Sequence, residues 1–256
     1  MLTRYLAVWL LVLTGLAGLA PVAAAQPAQE AAAVSGPTAY PSEASQWPGK
    51  GVVRVFGWMV DNRREFWRQR EHERGRVVFA GDSLVAGWRT LKQDFPSVPV
   101  ANRGIGGDVS RGLLFRFQED VLDLQPTTVV IQIGTNDLSA QQAPADTVSN
   151  LVAMIEMARR HDRGLPIVVC TVPPRAHPQA PIDPAKWREL NAGIRALADR
   201  QAGVSVVELA EPLSAPDGSI DPRYFATDRL HLSAQGYERW KSALEPVLAP
   251  LRTSRR

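Results

Sequence analysis

The chain is expected to fold as an α/β protein, a three-layer α/β/α sandwich around a five-stranded parallel, flavodoxin-like sheet. Five short runs rich in β-branched residues alternate with longer amphipathic stretches. Runs of that length read as strands, and their alternation with helices argues for a parallel sheet covered on both faces. An apolar fraction of 45% with 21% charged residues separates the chain from disordered and fibrous classes.

The elements follow in order. Met1 to Ala25 has the features of a secretory signal: Arg4 supplies the positive start, Tyr5 to Leu13 begin an apolar run, and Ala23-Ala24-Ala25 offers a small-residue cleavage site. Cleavage is expected after Ala25, leaving an exported protein, periplasmic or secreted, with no stable membrane span. The rival reading is an uncleaved anchor, opposed by the interruptions at Thr14, Gly15, Gly18 and Pro21. A lipid anchor needs a cysteine at the cleavage point, and none is there. Residues 26–50, rich in Ala, Pro, Ser and Gly, read as a flexible lead-in. The folded domain is then 51–252.

Between Val52 and Arg70, apolar Val55, Trp58, Met59, Phe66 and Trp67 recur at helical spacing, predicting a helix that covers one face of the sheet. Strands are expected at Val77 to Ala80, Val98 to Ala101, Thr127 to Ile133, Pro166 to Val172 and Val204 to Leu209. Crossover helices are expected at Leu84 to Gln93, Val109 to Leu124, Pro144 to His161 and Pro184 to Gln201, with a closing helix from Ser233 to Leu248.

Charge and cysteine usage remove several functional classes. The formal charge is +3, and the densest basic stretch, Arg63 to Arg76, is interleaved with Glu65, Glu71 and Glu73. That pattern reads as a solvated helix face, so nucleic acid is not an expected partner. Cys170, the only cysteine, sits in the apolar run Ile167 to Cys170 and reads as a buried strand residue. His72, His161 and His177 lack metal-ligand spacing, so no metal site is expected. A third fingerprint glycine after Gly104 and Gly106 is missing and no phosphate loop is present, so no nucleotide cofactor is expected either.

In parallel sheets the loops leaving the carboxyl ends of the strands gather at one edge, where ligands bind. Gly81-Asp82-Ser83-Leu84 follows the first strand and opens a helix, which puts the Ser83 hydroxyl at that edge with its own N–H free. Taken alone, Ser83 is equally a helix cap. Asp228 and His231 stand three residues apart before the closing helix, a spacing that lets the carboxylate hold one ring nitrogen while the other faces a serine. Attack on an ester carbonyl develops a negative oxygen, and the candidate donors are the N–H groups of Ser83 and Gly104 and the amide of Asn136. Trp88, Phe225 and the Pro173 to Pro184 loop are candidates to line an acyl or sugar site, or to serve as packing.

These four ordered blocks, Gly81-Asp82-Ser83-Leu84, Gly104 within Asn102-Arg103-Gly104, Gly134-Thr135-Asn136-Asp137 and Asp228-x-x-His231, resemble the SGNH/GDSL hydrolase family over about Val77 to Leu248. The Asn102 to Ile105 stretch is also similar to the platelet-activating-factor acetylhydrolase branch. The resemblance implies a serine ester hydrolase with Ser83 as nucleophile, His231 as base, Asp228 as its partner, and Ser83, Gly104 and Asn136 forming the oxyanion hole. It implies an acyl ester substrate, small-molecule, glycan or lipid. Lysophospholipase, thioesterase and carbohydrate O-deacetylase activities share this machinery. The alternative from another class is an exported, non-catalytic binding module for acylated glycans.

Overall fold

A computed structural model of the protein describes residues 36–253. The signal segment 1–25 and the first part of the lead-in lie outside the described residues. Five strands, β1 (Val77–Gly81), β2 (Val100–Gly104), β3 (Thr128–Gln132), β4 (Ile167–Cys170) and β5 (Val204–Val207), pair in parallel in the order β2-β1-β3-β4-β5. Around them lie α1 (Gly57–Gln69), α2 (Ser83–Ala86), α3 (Leu91–Asp94), α4 (Ser110–Asp120), α5 (Thr135–Ser139), α6 (Pro144–His161), α7 (Pro184–Arg200) and α8 (Ala234–Thr253). This is the expected sandwich with flavodoxin-like strand order.

The period of two along each strand builds two cores. Val78, Val129, Ile131 and Val169 pack with Phe117 of α4, Ile155 of α6 and Ile194 of α7. Phe79, Val130, Val168 and Cys170 turn the other way, toward Leu84 of α2, Leu91 of α3 and Trp240 of α8. Burying each such side chain removes it from water at a gain of about 1.5–3 kcal/mol, so every strand contributes to both layers. Local signals set the helix ends. Pro144 and Pro184 begin α6 and α7, where the missing N–H costs nothing, and Asp183 caps α7 by accepting from Ala185 N at 2.7 Å.

Four expectations are corrected by packing. The helix expected over Leu84 to Gln93 divides into α2 and α3, because Trp88, 1% exposed, turns into the core among Phe79, Phe95, Tyr237 and Trp240. α1 packs on α4 rather than across the sheet; Met59 and Phe66 are buried beside Ile105, while Val55 and Trp58 face solvent. In the basic stretch, Arg64 and Arg68 pair with Asp61 and Glu65 at the surface, but Arg63 is buried against Glu119 and Asp120.

The lead-in is packed from Gly36 onward instead of flexible to residue 50. Trp47 is buried, stacked on Tyr40 with ring centroids 5.3 Å apart and tilted against Phe115 at 5.0 Å. Lys50 N donates to Asn150 Oδ1 at 2.9 Å, and the Arg111 guanidinium gathers the carbonyls of Ala44, Trp47, Pro48 and Gly51. Two aromatic rings supply enough apolar area to offset ordering a short polar segment.

Candidate active site

Strand order reverses between β1 and β3, so their carboxyl ends border the crevice where doubly wound sheets bind ligands. Ser83 leaves β1 there, and Thr135-Asn136-Asp137 leave β3. A Cβ on Gly81 would lie 2.0 Å from Gln132 O, so only glycine lets β1 run this close to β3 before the turn. Asp82 then caps α2, its Oδ1 accepting from Leu84 N at 2.9 Å. Ser83, the first helical residue, keeps an N–H without a helical partner.

Asp228 shapes the loop before α8. Its Oδ1 accepts from the N–H groups of Leu230 and His231, each at 3.0 Å, while its Oδ2 lies 2.5 Å from His231 Nδ1. Arg229 between them adopts φ 57°, a left-handed conformation rare outside glycine, held by Arg229 N donating to Ala226 O and Ala176 N donating to Arg229 O. The other ring nitrogen of His231, Nε2, is 2.9 Å from Ser83 Oγ. Desolvation pushes the Asp228 carboxyl up, but the His231 ring and the two backbone N–H groups outweigh it and hold the carboxyl at about 2.

Asn136 projects from α5 with one amide N–H donated to Asp108 O at 2.9 Å, leaving the second for a ligand. Gly104 does not supply a free donor. Its N–H donates to Asn102 Oδ1 at 3.0 Å, and Asn102 Nδ2 in turn donates to Val85 O at 2.7 Å. A Cβ at Gly104 would lie 2.2 Å from Ala86 N, so this glycine is needed for β2 to approach α2. The next turn is different. Asp108 N donates to Ile105 O, Gly107 has φ 83°, and a Cβ on Gly106 would sit 4.0 Å from Ser83 Cβ. Neither Gly106 N nor Gly107 N has a hydrogen-bond partner among the described residues.

Beneath these groups lies a buried polar layer that patterns of sequence spacing do not reveal. Arg116, fully buried, donates to Asp108 Oδ2 at 2.8 Å and to the carbonyls of Arg103 and Gly81, tying together the ends of β2 and β1. Asp137 accepts from Ser110 N, the Ser110 hydroxyl, Gln142 and Thr147, which fixes the start of α4. Arg175, in the loop after β4, donates to Thr135 O and Oγ1 beside Asn136. The signal in the sequence is Arg116 set among Leu113, Leu114 and Phe117 with Asp120 one turn on, since a cation on a buried helix face needs partners.

Burial pushes the Asp82 carboxyl up to about 7, with neighbouring Asp108 and Asp137 adding to the rise, and Asp108 itself up to about 6. Trp88 and Phe225 are both buried in the core, and Trp88 also borders a surface cleft with Phe66, Ala86 and Asn102. Cys170 is buried in β4, its thiol pushed up to about 12 by desolvation. Among the described residues no group of three or more His, Cys, Asp or Glu is placed to hold a metal ion.

Ser, His and Asp hydrogen-bonded in line at the switch point of a doubly wound α/β fold is an arrangement that serine hydrolases use. The chain belongs to the GDSL-like lipase/acylhydrolase family, whose model matches residues 79–239. It is 25% identical over 201 residues to the platelet-activating factor acetylhydrolase IB subunit alpha2 of Rattus norvegicus, covering 76% of this chain and 84% of that one. Against the esterase TesA of Pseudomonas aeruginosa it is 34% identical over 116 residues, 40% of this chain and 58% of that one. The crystal structure of a GDSL-like lipase from Bacteroides thetaiotaomicron superposes with a TM-score of 0.62 at 30% identity, covering 70% of this chain and 90% of that one.

Proposed function

We propose that this protein is an exported serine ester hydrolase that cleaves acyl esters. Ser83 is the nucleophile, His231 the general base and Asp228 the group that orients it. With Nδ1–H donated to Asp228, the Nε2 lone pair of His231 faces the Ser83 hydroxyl and takes its proton as Oγ bonds to the acyl carbon. The electron pair of the carbonyl moves onto its oxygen. Ser83 N–H and the free N–H of Asn136 meet that oxyanion, with a third donor from the Gly106–Gly107 turn in place of Gly104. Collapse of the intermediate expels the alcohol, which His231 protonates, and water repeats the sequence on the acyl-enzyme.

The observation that carries this reading is the continuous hydrogen-bonded line from Asp228 through His231 to Ser83, at 2.5 and 2.9 Å. Hydrolysis of p-nitrophenyl acetate, butyrate and octanoate tests it, alongside Ser83→Ala and labelling by a fluorophosphonate. Turnover and labelling that both vanish in Ser83→Ala are the expected result. A protein that labels nothing and turns over no ester would be a binding module.

Export rests on the residues of the signal segment, and no helix among the described residues is long and apolar enough to cross a membrane. Sequencing the amino terminus of the protein from its producing cells should find the chain beginning at Gln26.

A further inference from the structure

The large hydrophobic side chains exposed among the described residues are Val55 at 43%, Phe56 at 39% and Trp58 at 52%, and they fall within four consecutive positions. Their placement is fixed. The Phe56 and Trp58 rings stack with centroids 4.4 Å apart and planes 14° apart. The Trp58 indole N–H donates to Gly106 O at 2.9 Å, and a Cβ on Gly107 would sit 3.5 Å from the Phe56 ring. The patch is therefore anchored on the glycine turn that borders Ser83. Apolar surface held open in this way, rather than folded into the core, marks a ligand or partner site.

Two features choose the occupant. The indole N–H is already donated to Gly106, so the patch offers two aromatic faces and an isopropyl group with no donor of its own. An alkyl chain fits such a surface; a sugar ring needs polar partners beside the aromatic face. Reaction geometry chooses the direction. The leaving oxygen must face His231 Nε2, from which it takes its proton, so the acyl substituent extends away from His231, past the Gly106–Gly107 turn that receives the oxyanion, to the patch beside that turn.

We propose that Val55, Phe56 and Trp58 form an acyl-chain subsite, and that the substrates of this protein are esters of medium-length aliphatic acids. The proposal rests on the ester-hydrolase reading above. The patch lies before residue 79, where the match to the family model begins.

The test is the ratio of kcat/KM on p-nitrophenyl octanoate to that on p-nitrophenyl acetate, measured for the protein, Phe56→Ser and Val55→Ser. The ratio should fall about tenfold in Phe56→Ser, carried by KM, with a smaller fall in Val55→Ser. An unchanged ratio, even with both rates lowered together, overturns the proposal. So does sensitivity to the alcohol chain instead, read as octyl acetate against ethyl acetate. To separate this from failure of the esterase reading, Ser83→Ala protein is titrated calorimetrically with octanoate and acetate. Octanoate binding that is saturable and lost on adding Phe56→Ser supports the subsite without any turnover; octanoate bound no more tightly than acetate overturns it.

Discussion

His231 Nε2 lies 2.9 Å from Ser83 Oγ although 148 residues separate them in the chain. The contact is made because β1 and the loop before α8 both end at the carboxyl edge of one sheet. Among the described residues no other side chain is hydrogen-bonded to that hydroxyl, so His231→Ala should remove nearly all ester turnover, by a factor on the order of 10³ or more. Its thermal midpoint should stay close to that of the parent protein, since the ring is 42% exposed.

Asp228 is expected to matter through its charge and its place. Its carboxyl sits at about 2, so it stays ionised at every pH above its ordinary value of 3.8. A depressed carboxylate stabilises the fold above its ordinary value, and that contribution is lost only as pH falls through about 2. Asp228→Asn, compared with the parent by kcat at pH 7, should cost about 10²- to 10⁴-fold, the range expected when a histidine loses the acceptor that fixes its tautomer. A loss below tenfold would remove Asp228 from the mechanism.

Asn136 donates once to Asp108 O, and its second amide N–H is the proposed oxyanion donor. Asn136→Ala should lower kcat by about 10²- to 10³-fold with little change in KM, because the donor acts on charge that exists only in the transition state. Steady-state kinetics on p-nitrophenyl butyrate reads the split. A rise in KM at constant kcat would instead make Asn136 a ground-state binding residue.

Gly104 and Gly107 should differ in what they damage. Gly104→Ala drives a methyl group into the backbone of α2, 2.2 Å from Ala86 N, and should cost about 1–3 kcal/mol in thermal or urea unfolding. Gly107→Ala meets only side-chain atoms at 3.5 Å, and its cost of about 1–2 kcal/mol comes from holding an alanine at φ 83°.

Asp82 predicts a pH dependence of stability. Its folded pKa, raised by burial to about 7, exceeds the ordinary 3.8. The native state then binds the proton more tightly than the unfolded chain, so this contribution to stability is intact below about pH 4 and falls away as pH rises toward 7. Asp82→Asn keeps an oxygen for Leu84 N without a charge to bury. Its thermal midpoint relative to the parent should be higher at pH 8 than at pH 5; a difference that does not vary with pH would refute the assignment.

By itself the sequence determined the parallel sheet and most of the crossover helices, and it singled out Ser83, Asn136, Asp228 and His231 as candidates. Short β-branched apolar runs, prolines at helix starts and an Asp three residues before a His are local signals, and each points to its own structure or chemistry. What depended on contacts between distant segments was decided only by the tertiary structure. Gly104 and Gly107 look alike in sequence, yet one N–H is taken by Asn102 and the other is left free, because strand β2 ends against α2 while the next turn stands clear of it. Val55 and Trp58 fit the same helical spacing in sequence as buried Met59 and Phe66, but α1 begins only at Gly57 and rests on α4, which leaves Val55 and Trp58 in solvent beside the turn that borders Ser83. Periodicity says which side chains are apolar; only the position of the neighbouring element says which of them it covers.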